Sequence, residues 1–403
     1  MNFKFIMSNS LYIGVYYIYM NIILYGAIGR HNFGDILFPH ILIKLFELND
    51  IFTSVYNNQE NQTNSNIFLC DILERDMTKY GGHYVKSIAI LFEQNIDCVI
   101  MVGGEVANCS IEAAITMFEP NNSKENLKNI ELIEKKIKTP IYLIDKTYIK
   151  KNIICIANSI GGVSNIKGEY KDILYKKLST YEYVSTRDSL NENELYYNVP
   201  DCAILTKKFF NEKIMTFKEK FDFMNNKYIA IQVNIKILKN IDKSIFKNIQ
   251  KLLKMPIYFF AAGQAKDHDS IEAYKEFLHD DNFFIFDKDN IWEICCLISN
   301  AFIVIGSSLH VRILSFCYSK IRFTITNNIN HNSKHKQFIK KWDNIKDTFI
   351  CTTELLNSIK IYCIEGSNNV FNEENSLNSA IDEYMFNSKK WINILKEKQN
   401  LKL

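Results

Sequence analysis

The sequence predicts an α/β protein in which two Rossmann-like domains face each other across a cleft. Three observations lead there. At 403 residues the chain exceeds what one hydrophobic core organises and suggests two domains of ordinary size. Strand-like apolar runs alternate with helix-spaced segments, stop in a charged and aromatic stretch over 207–227, and restart at Tyr228. Several of these runs end in glycine turns, where open parallel sheets gather their ligands. The expected division is an N-terminal extension (1–19), a first domain (20–210), a linker (211–227), a second domain (228–355) and a helical tail (356–403).

Leu11 to Ile28 is almost uncharged and long enough to pass for a membrane span. It contains Gly14, Asn21 and Gly26 and runs into a glycine turn, so Asn21 to Gly26 reads as a first buried strand with Met20 as a natural start. Residues 1–19 are then an extension, either an upstream start or a weak membrane-associating segment. Gly29, Arg30, His31 and Gly34 follow as a loop, and Asp35 is placed to cap a helix over Ile36 to Leu48. Ile67 to Leu69 reads as a strand and Tyr84 to Gln94 as a helix. The buried strand Cys98 to Val102 ends in Gly103, Gly104 and Glu105. A charged helix from Asn122 to Lys138 is closed by Pro140, and Ile141 to Ile144 resumes a strand pattern. Ile153 to Ala157 is the next strand, running into Gly161 and Gly162. Helix Glu169 to Leu178 leads to strand Tyr183 to Ser185, then Arg187 and a cap at Asp188 or Ser189. Val199 to Leu205 is a short edge element. The second domain alternates strands at Tyr228 to Val233, Ile257 to Ala261, Phe283 to Phe286 and Ala301 to Ile305 with helices, and closes with strand Arg322 to Thr326.

The stretch Ile303 to Phe316, IVIGSSLHVRILSF, carries the strongest functional signal. A strand breaks at Gly306, passes Ser307 and Ser308, and a helix starts at Leu309, leaving first-turn N–H groups and the positive end of the dipole for an anion. His310 supplies an acid/base and Arg312 a bidentate anion reader in the same turn. The glycine loops with Arg30 and Arg187 have similar physics, whereas the dinucleotide fingerprint GxGxxG is missing. Glu105, at a strand's carboxyl end, is a candidate base or hydroxyl-binding group, or a loop carboxylate without a chemical role. His31, His268, His331 and His335 read as surface residues.

Composition narrows the class. With 47% hydrophobic and 23% charged residues the chain is globular, and a net charge of +3 gives no basic surface for nucleic acid. Five of its 48 basic side chains are arginines, so arginine remains where a planar fork matters. Ten scattered cysteines, without metal-ligand spacing, predict free buried thiols in a reducing cytoplasm. No metal site is expected.

Six motifs in order resemble the polysaccharide pyruvyl transferase family: GRHNFGD (29–35), VIMVGGE (99–105), ANSIGG (157–162), VSTRDSL (184–190), PDCAIL (200–205) and GSSLHVRILSF (306–316). The resemblance implies a GT-B-like arrangement with the acceptor on the first domain and the donor on the second. It implies transfer of a carboxyethylidene group from phosphoenolpyruvate to two hydroxyls of a sugar in a cell-surface polysaccharide or its lipid-linked precursor, without a cofactor. On this pattern Arg187 reads the anion and His310 does the acid/base work. Where many relatives read Arg-Leu-His, this chain has Ser308, Leu309 and His310. The alternatives are a nucleotide-sugar-dependent glycosyltransferase of the same architecture, for which 263–269 is the candidate base-binding stretch, and a non-catalytic glycan-binding relative. Oligomeric state is left open, and peripheral membrane association follows only if residues 1–19 anchor the chain.

Overall fold

The computed structural model describes residues 20–51, 67–116, 124–137, 139–164, 166–188, 196–264, 269–278, 282–326, 334–343, 349–351, 354–363 and 374–400. The expected extension 1–19, Ser189, His268, His331 and most of the stretch 263–269 lie outside the described residues.

The first sheet contains β1 (Ile22–Tyr25), β2 (Ile67–Asp71), β3 (Arg75–Asp76), β4 (Tyr84–Ser87), β5 (Cys98–Val102), β6 (Ile154–Ile160), β7 (Tyr183–Thr186) and β8 (Tyr197–Asn198). Their order is β3-β4-β2-β1-β5-β6-β7-β8, and all pairs are parallel except β3 with β4. The register sets Ile22 between Ile67 and Cys98. Along β1, Ile22 and Leu24 belong to one apolar cluster while Ile23 and Tyr25 belong to another. That two-residue alternation places a core on each face, which is why central parallel strands read as unbroken apolar runs.

The second sheet contains β9 (Ile229–Gln232), β10 (Ile257–Phe260), β11 (Phe283–Phe286), β12 (Ile303–Gly306), β13 (Ile321–Thr326) and β14 (Phe349–Cys351). It is parallel throughout, in the order β11-β10-β9-β12-β13-β14. Among the parallel strands the order reverses between β1 and β5 in the first sheet and between β9 and β12 in the second. Crevices at such switch points are where doubly wound sheets bind ligands. Behind them a single apolar cluster runs from Leu24 and Phe38 through Trp292 and Leu309 to Ala230, joining the two domains.

Several expected elements differ. Tyr84 to Gln94 is not one helix: β4 pairs with β2 and β3, and only Ile90–Glu93 is helical. Ile141 to Ile144 is buried but joins no sheet. Its carbonyls accept instead from Tyr25 Oη (to Ile141, 2.8 Å), Lys177 Nζ (to Leu143, 2.9 Å) and Tyr181 Oη (to Ile144, 2.7 Å). Side chains here do what a neighbouring strand would do. The edge element after Arg187 is the strand Tyr197–Asn198 followed by a 3₁₀ turn, Cys202–Leu205, and β14 lies beyond the strand expected to be last.

Two expected boundaries fall inside helices. Thr206–Met215 runs across 210/211, and Leu355–Cys363 crosses 355/356 with Leu355 and Ile359 in the second core. The tail is a 27-residue helix, Glu374–Asn400, which returns to the first domain. There Trp391 meets Phe46 edge-on at 6.0 Å and Tyr384 Oη is 2.8 Å from Asn158 Nδ2. Among the described residues no helix is long and apolar enough to cross a membrane.

Candidate active site

The carboxyl ends of β1, β5, β9 and β12 converge on a cavity of about 290 Å³ between the domains. Arg30, Asp35, Gly104, Glu105 and Arg187 line it from the first domain; Gln232, Asp269, Ser307, Ser308, His310 and Lys334 line it from the second.

After β1 the loop is pinned from below, because Gly29 N–H donates to Asp71 Oδ2 at 2.8 Å. Burial pushes the Asp71 carboxyl up to about 6, against the hydrogen bonds from Gly29, Ile72 and Tyr142. The helix that follows spans Phe33–Leu48, and its cap is Asn32, whose Oδ1 accepts from Gly34 N–H at 3.3 Å. The expected cap, Asp35, is instead in the first turn, 3.2 Å from Arg30 Nη2. His31 is no surface residue: it is buried at the domain seam, with Nε2 2.7 Å from Asp289 O and Nδ1 accepting from Gln264 N–H at 3.1 Å.

His310 sits in the first turn of the helix Leu309–Cys317, and its ring crosses the cleft to Phe38 and Gly34 of the first domain. A Cβ on Gly34 would overlap His310 Nδ1, so only glycine admits the ring. Arg187, at the end of β7, donates through Nη1 to Asp201 Oδ2 and lies 3.4 Å from His310 Nε2. His310 Nε2 is in turn 3.5 Å from Asp201 Oδ2. Burial opposes ionisation of Asp201, but Arg187 and His310 outweigh it and hold the carboxyl well below its usual range. Gly161 is required at its position because a Cβ there would strike Arg187 Nε. Gly103 and Gly104 form the turn after β5, and Gly162 N–H donates to Asp188 Oδ2 at 2.8 Å.

The helix start differs from expectation in one respect. Gln232 Oε1 accepts from the N–H groups of both Ser307 (3.0 Å) and Ser308 (2.9 Å). Ser308 is the N-cap without a side-chain cap bond, and the N–H groups of Leu309 and His310 have no hydrogen bond among the described residues. The open N–H groups at the helix start are thus those of Leu309 and His310, while Ser307 and Ser308, whose own N–H groups are taken, line the cavity. Ser307 Oγ accepts from Asn234 N–H at 2.8 Å. Gln232 Nε2 donates to Asp269 at 2.8 Å, and burial pushes that carboxyl up to about 6.

Of the two remaining expected site residues, one lines the cavity and the other does not. Arg312 does not reach the cavity: Nε donates to Asp343 at 2.6 Å and Nη1 to Thr324 Oγ1 at 3.0 Å, within the second domain. Its position, two residues beyond His310, turns it roughly 200° round the helix. Glu105 faces the cavity, half exposed, and Lys334, 3.0 Å away, holds its carboxyl below the ordinary value. His335 is half-buried rather than exposed, and burial lowers it to about 3. Asp201 and Lys334 escaped sequence reasoning. Asp201 lies inside the PDCAIL motif, where an aspartate after proline is a usual turn cap and could have marked it; Lys334 has no such signal. Among the described residues no group of three acidic, histidine or cysteine side chains could hold a metal.

A family model described as polysaccharide pyruvyl transferase matches residues 32–329. The chain belongs to this family. As a polysaccharide pyruvyl transferase family member it is a transferase of polysaccharide biosynthesis, and its acceptor is a sugar. No curated protein matches it. Among solved structures it is similar to a UDP-GlcNAc 2-epimerase of Methanocaldococcus jannaschii in complex with UDP-GlcNAc and UDP, with 12% identity, coverage of 92% of this chain and 100% of that chain, and a TM-score of 0.52. It is also similar to S. aureus MnaA with UDP (10% identity, 95% and 98% covered, TM-score 0.55) and to the UDP-N-acetylglucosamine 2-epimerase of Rickettsia bellii (13% identity, 95% and 98% covered, TM-score 0.54). At such identities the likeness is one of fold, the GT-B arrangement of two Rossmann-like domains.

Proposed function

We propose that the cleft transfers the carboxyethylidene group of phosphoenolpyruvate to two hydroxyls of one sugar residue, in a cell-surface polysaccharide or its lipid-linked precursor. The observation that carries this reading is the set His310, Arg187 and Asp201 at the mouth of an open helix N-terminus between the domains. Phosphoenolpyruvate carries a carboxylate and a phosphate, and arginine forks and helix N-termini are suited to both. In the reaction C3 gains a proton, C2 bonds the first sugar oxygen, phosphate leaves, and the second sugar oxygen closes the ketal. Of the two hydroxyl protons one ends in the new methyl group and the other on phosphate, so the step needs neither a redox partner nor a resident cofactor.

His310 suits the proton work because both of its states find a partner. The neutral ring accepts from Arg187 Nη1 at 3.4 Å, and the protonated ring donates to Asp201 at 3.5 Å. Arg187 is thereby placed both to hold the ring and to read an anion.

Thermal stabilisation by phosphoenolpyruvate and by a panel of nucleotide sugars tests the donor, since stabilisation grows with ligand bound to the folded state. Phosphoenolpyruvate is expected to stabilise the protein and not its Arg187→Ala variant. His310→Ala is expected to lose about 10²–10⁴-fold in turnover. Stabilisation by nucleotide sugars alone would replace this reading with that of a glycosyltransferase.

A further inference from the structure

We propose that Lys334 is an exchangeable anion-binding residue that leaves Glu105 for an anionic group of the molecule held in the cleft. The inference rests on the reading of the donor as an anion. Lys334 opens the short helix Lys334–Phe338 of the second domain, beyond residues 32–329 that the family model matches, while Glu105 follows β5 of the first. Their 3.0 Å contact therefore spans the cleft, and both line the cavity that Arg187 and His310 line.

Among the described residues three cation–carboxylate pairs border this cavity, and they differ in how readily they part. In Arg30–Asp35 the side chains are 10% and 3% exposed, and in Arg187–Asp201 5% and 1%. Withdrawing either arginine would strand a buried carboxylate, which is strongly unfavourable. In Lys334–Glu105 the side chains are 33% and 42% exposed, so Glu105 turns to water and what is lost is an ion pair of little strength. The lysine stem is flexible and its ammonium donates in three directions, so it can move with an anion, whereas Arg30 and Arg187 can only meet one from where Asp35 and Asp201 hold them.

Position points the same way. Among the described residues lining the cavity, Arg30 and Arg187 belong to the first domain, and Lys334 is the lysine or arginine that the second contributes. Ser308, at the open helix start, carries no charge. An anion resting on the N–H groups of Leu309 and His310 thus meets a lysine of the second domain only if Lys334 turns to it. Glu105 then acts as the holder of the empty-state cation rather than as a base.

Calorimetric titration of the full chain with phosphoenolpyruvate, and separately with inorganic phosphate, at low salt decides the matter. The variants are Lys334→Ala, Lys334→Arg and Glu105→Gln, each checked for an unchanged melting profile. Lys334→Ala is expected to weaken anion binding about tenfold, the scale of one charge-assisted hydrogen bond, and Lys334→Arg to recover part of the loss. Glu105→Gln is expected to tighten binding about two- to fivefold, because the competing partner has gone. Opposite signs for the two positions are what a mere tie between domains cannot produce. Weakening by both, or indifference to Lys334→Ala, overturns the proposal. Opposite signs with phosphate but no binding of phosphoenolpyruvate uphold Lys334 and sink the donor reading. A wild-type protein that binds neither anion overturns both.

Discussion

Gly34 meets His310 across the domain boundary, and the contact leaves no room for a side chain. In Gly34→Ala the new methyl must displace the imidazole or the start of the helix Leu309–Cys317. Overpacking of this kind costs about 1–3 kcal/mol. A displacement of order 1 Å at a reacting group costs about 10²-fold in turnover. The expected result is a modest fall in melting temperature with a disproportionate fall in kcat; equal behaviour to wild type in a coupled phosphate-release assay would refute the contact. That residue 34 is a glycine near a ligand loop was legible, because glycine, a turn and a helix start follow one another in the chain. What it accommodates was not. His310 lies in the other domain, and local patterning carries no information about partners brought together by tertiary packing. The same holds for Asp201, whose motif was readable while its hold on Arg187 was not.

Helix geometry decides the fate of Arg312. His310 faces the cleft, and a residue two places further turns into the second core, where Arg312 and Arg322 both reach Asp343. Burial disfavours the charge on Asp343, yet the two arginines hold its carboxyl below the ordinary value. Asp343→Asn leaves two guanidinium groups without that anion, and a loss of about 3–5 kcal/mol is expected in urea unfolding. A change below 1 kcal/mol would show that the arginines are neutralised elsewhere. Strands were the most legible elements, since those buried on both faces are continuous runs of Ile, Val and Phe closed by glycine. The short edge pieces were not: β4 alternates half-buried and buried residues, a period shared by too few positions to tell from a helix turn. Ile141 to Ile144 has strand composition, and only the side chains of Tyr25, Lys177 and Tyr181 explain why it needs no neighbour.

Across the whole molecule, buried titratable groups set opposing pH dependences. Burial lowers His31, His40, His83 and His335 from the ordinary 6.5, to about 4 for His83 and about 3 for His335. The unfolded chain therefore binds more protons at these sites between about pH 4 and 6.5, and stability rises with pH there. Asp71 and Asp269, raised to about 6 from 3.8, bind more protons when folded and oppose that rise over nearly the same window. Four histidines outweigh two carboxyls, so stability is expected to grow from pH 5 to pH 6.5. Asp269→Asn removes one opposing group and should steepen the dependence by up to about 1.4 kcal/mol per pH unit. Urea midpoints at several pH values check both signs, and a flatter slope in the variant would contradict the burial of Asp269. His31 lies at the seam between domains, and the His40–His83 pair, 3.0 Å apart, packs against Trp292, so acid loosens the junction that shapes the cleft.

The return of the final helix to the first domain has a consequence for how the protein is made. The face of the first domain that Trp391 and Tyr384 cover, against Phe46 and Asn158, stays bare while the whole second domain is being translated. At about 5–20 residues per second that interval is tens of seconds, with apolar surface open to any chaperone or wrong neighbour. The nascent first domain therefore waits until that helix has been made, and a chain stopped just short of it has both sheets but leaves Phe46 and Asn158 uncovered.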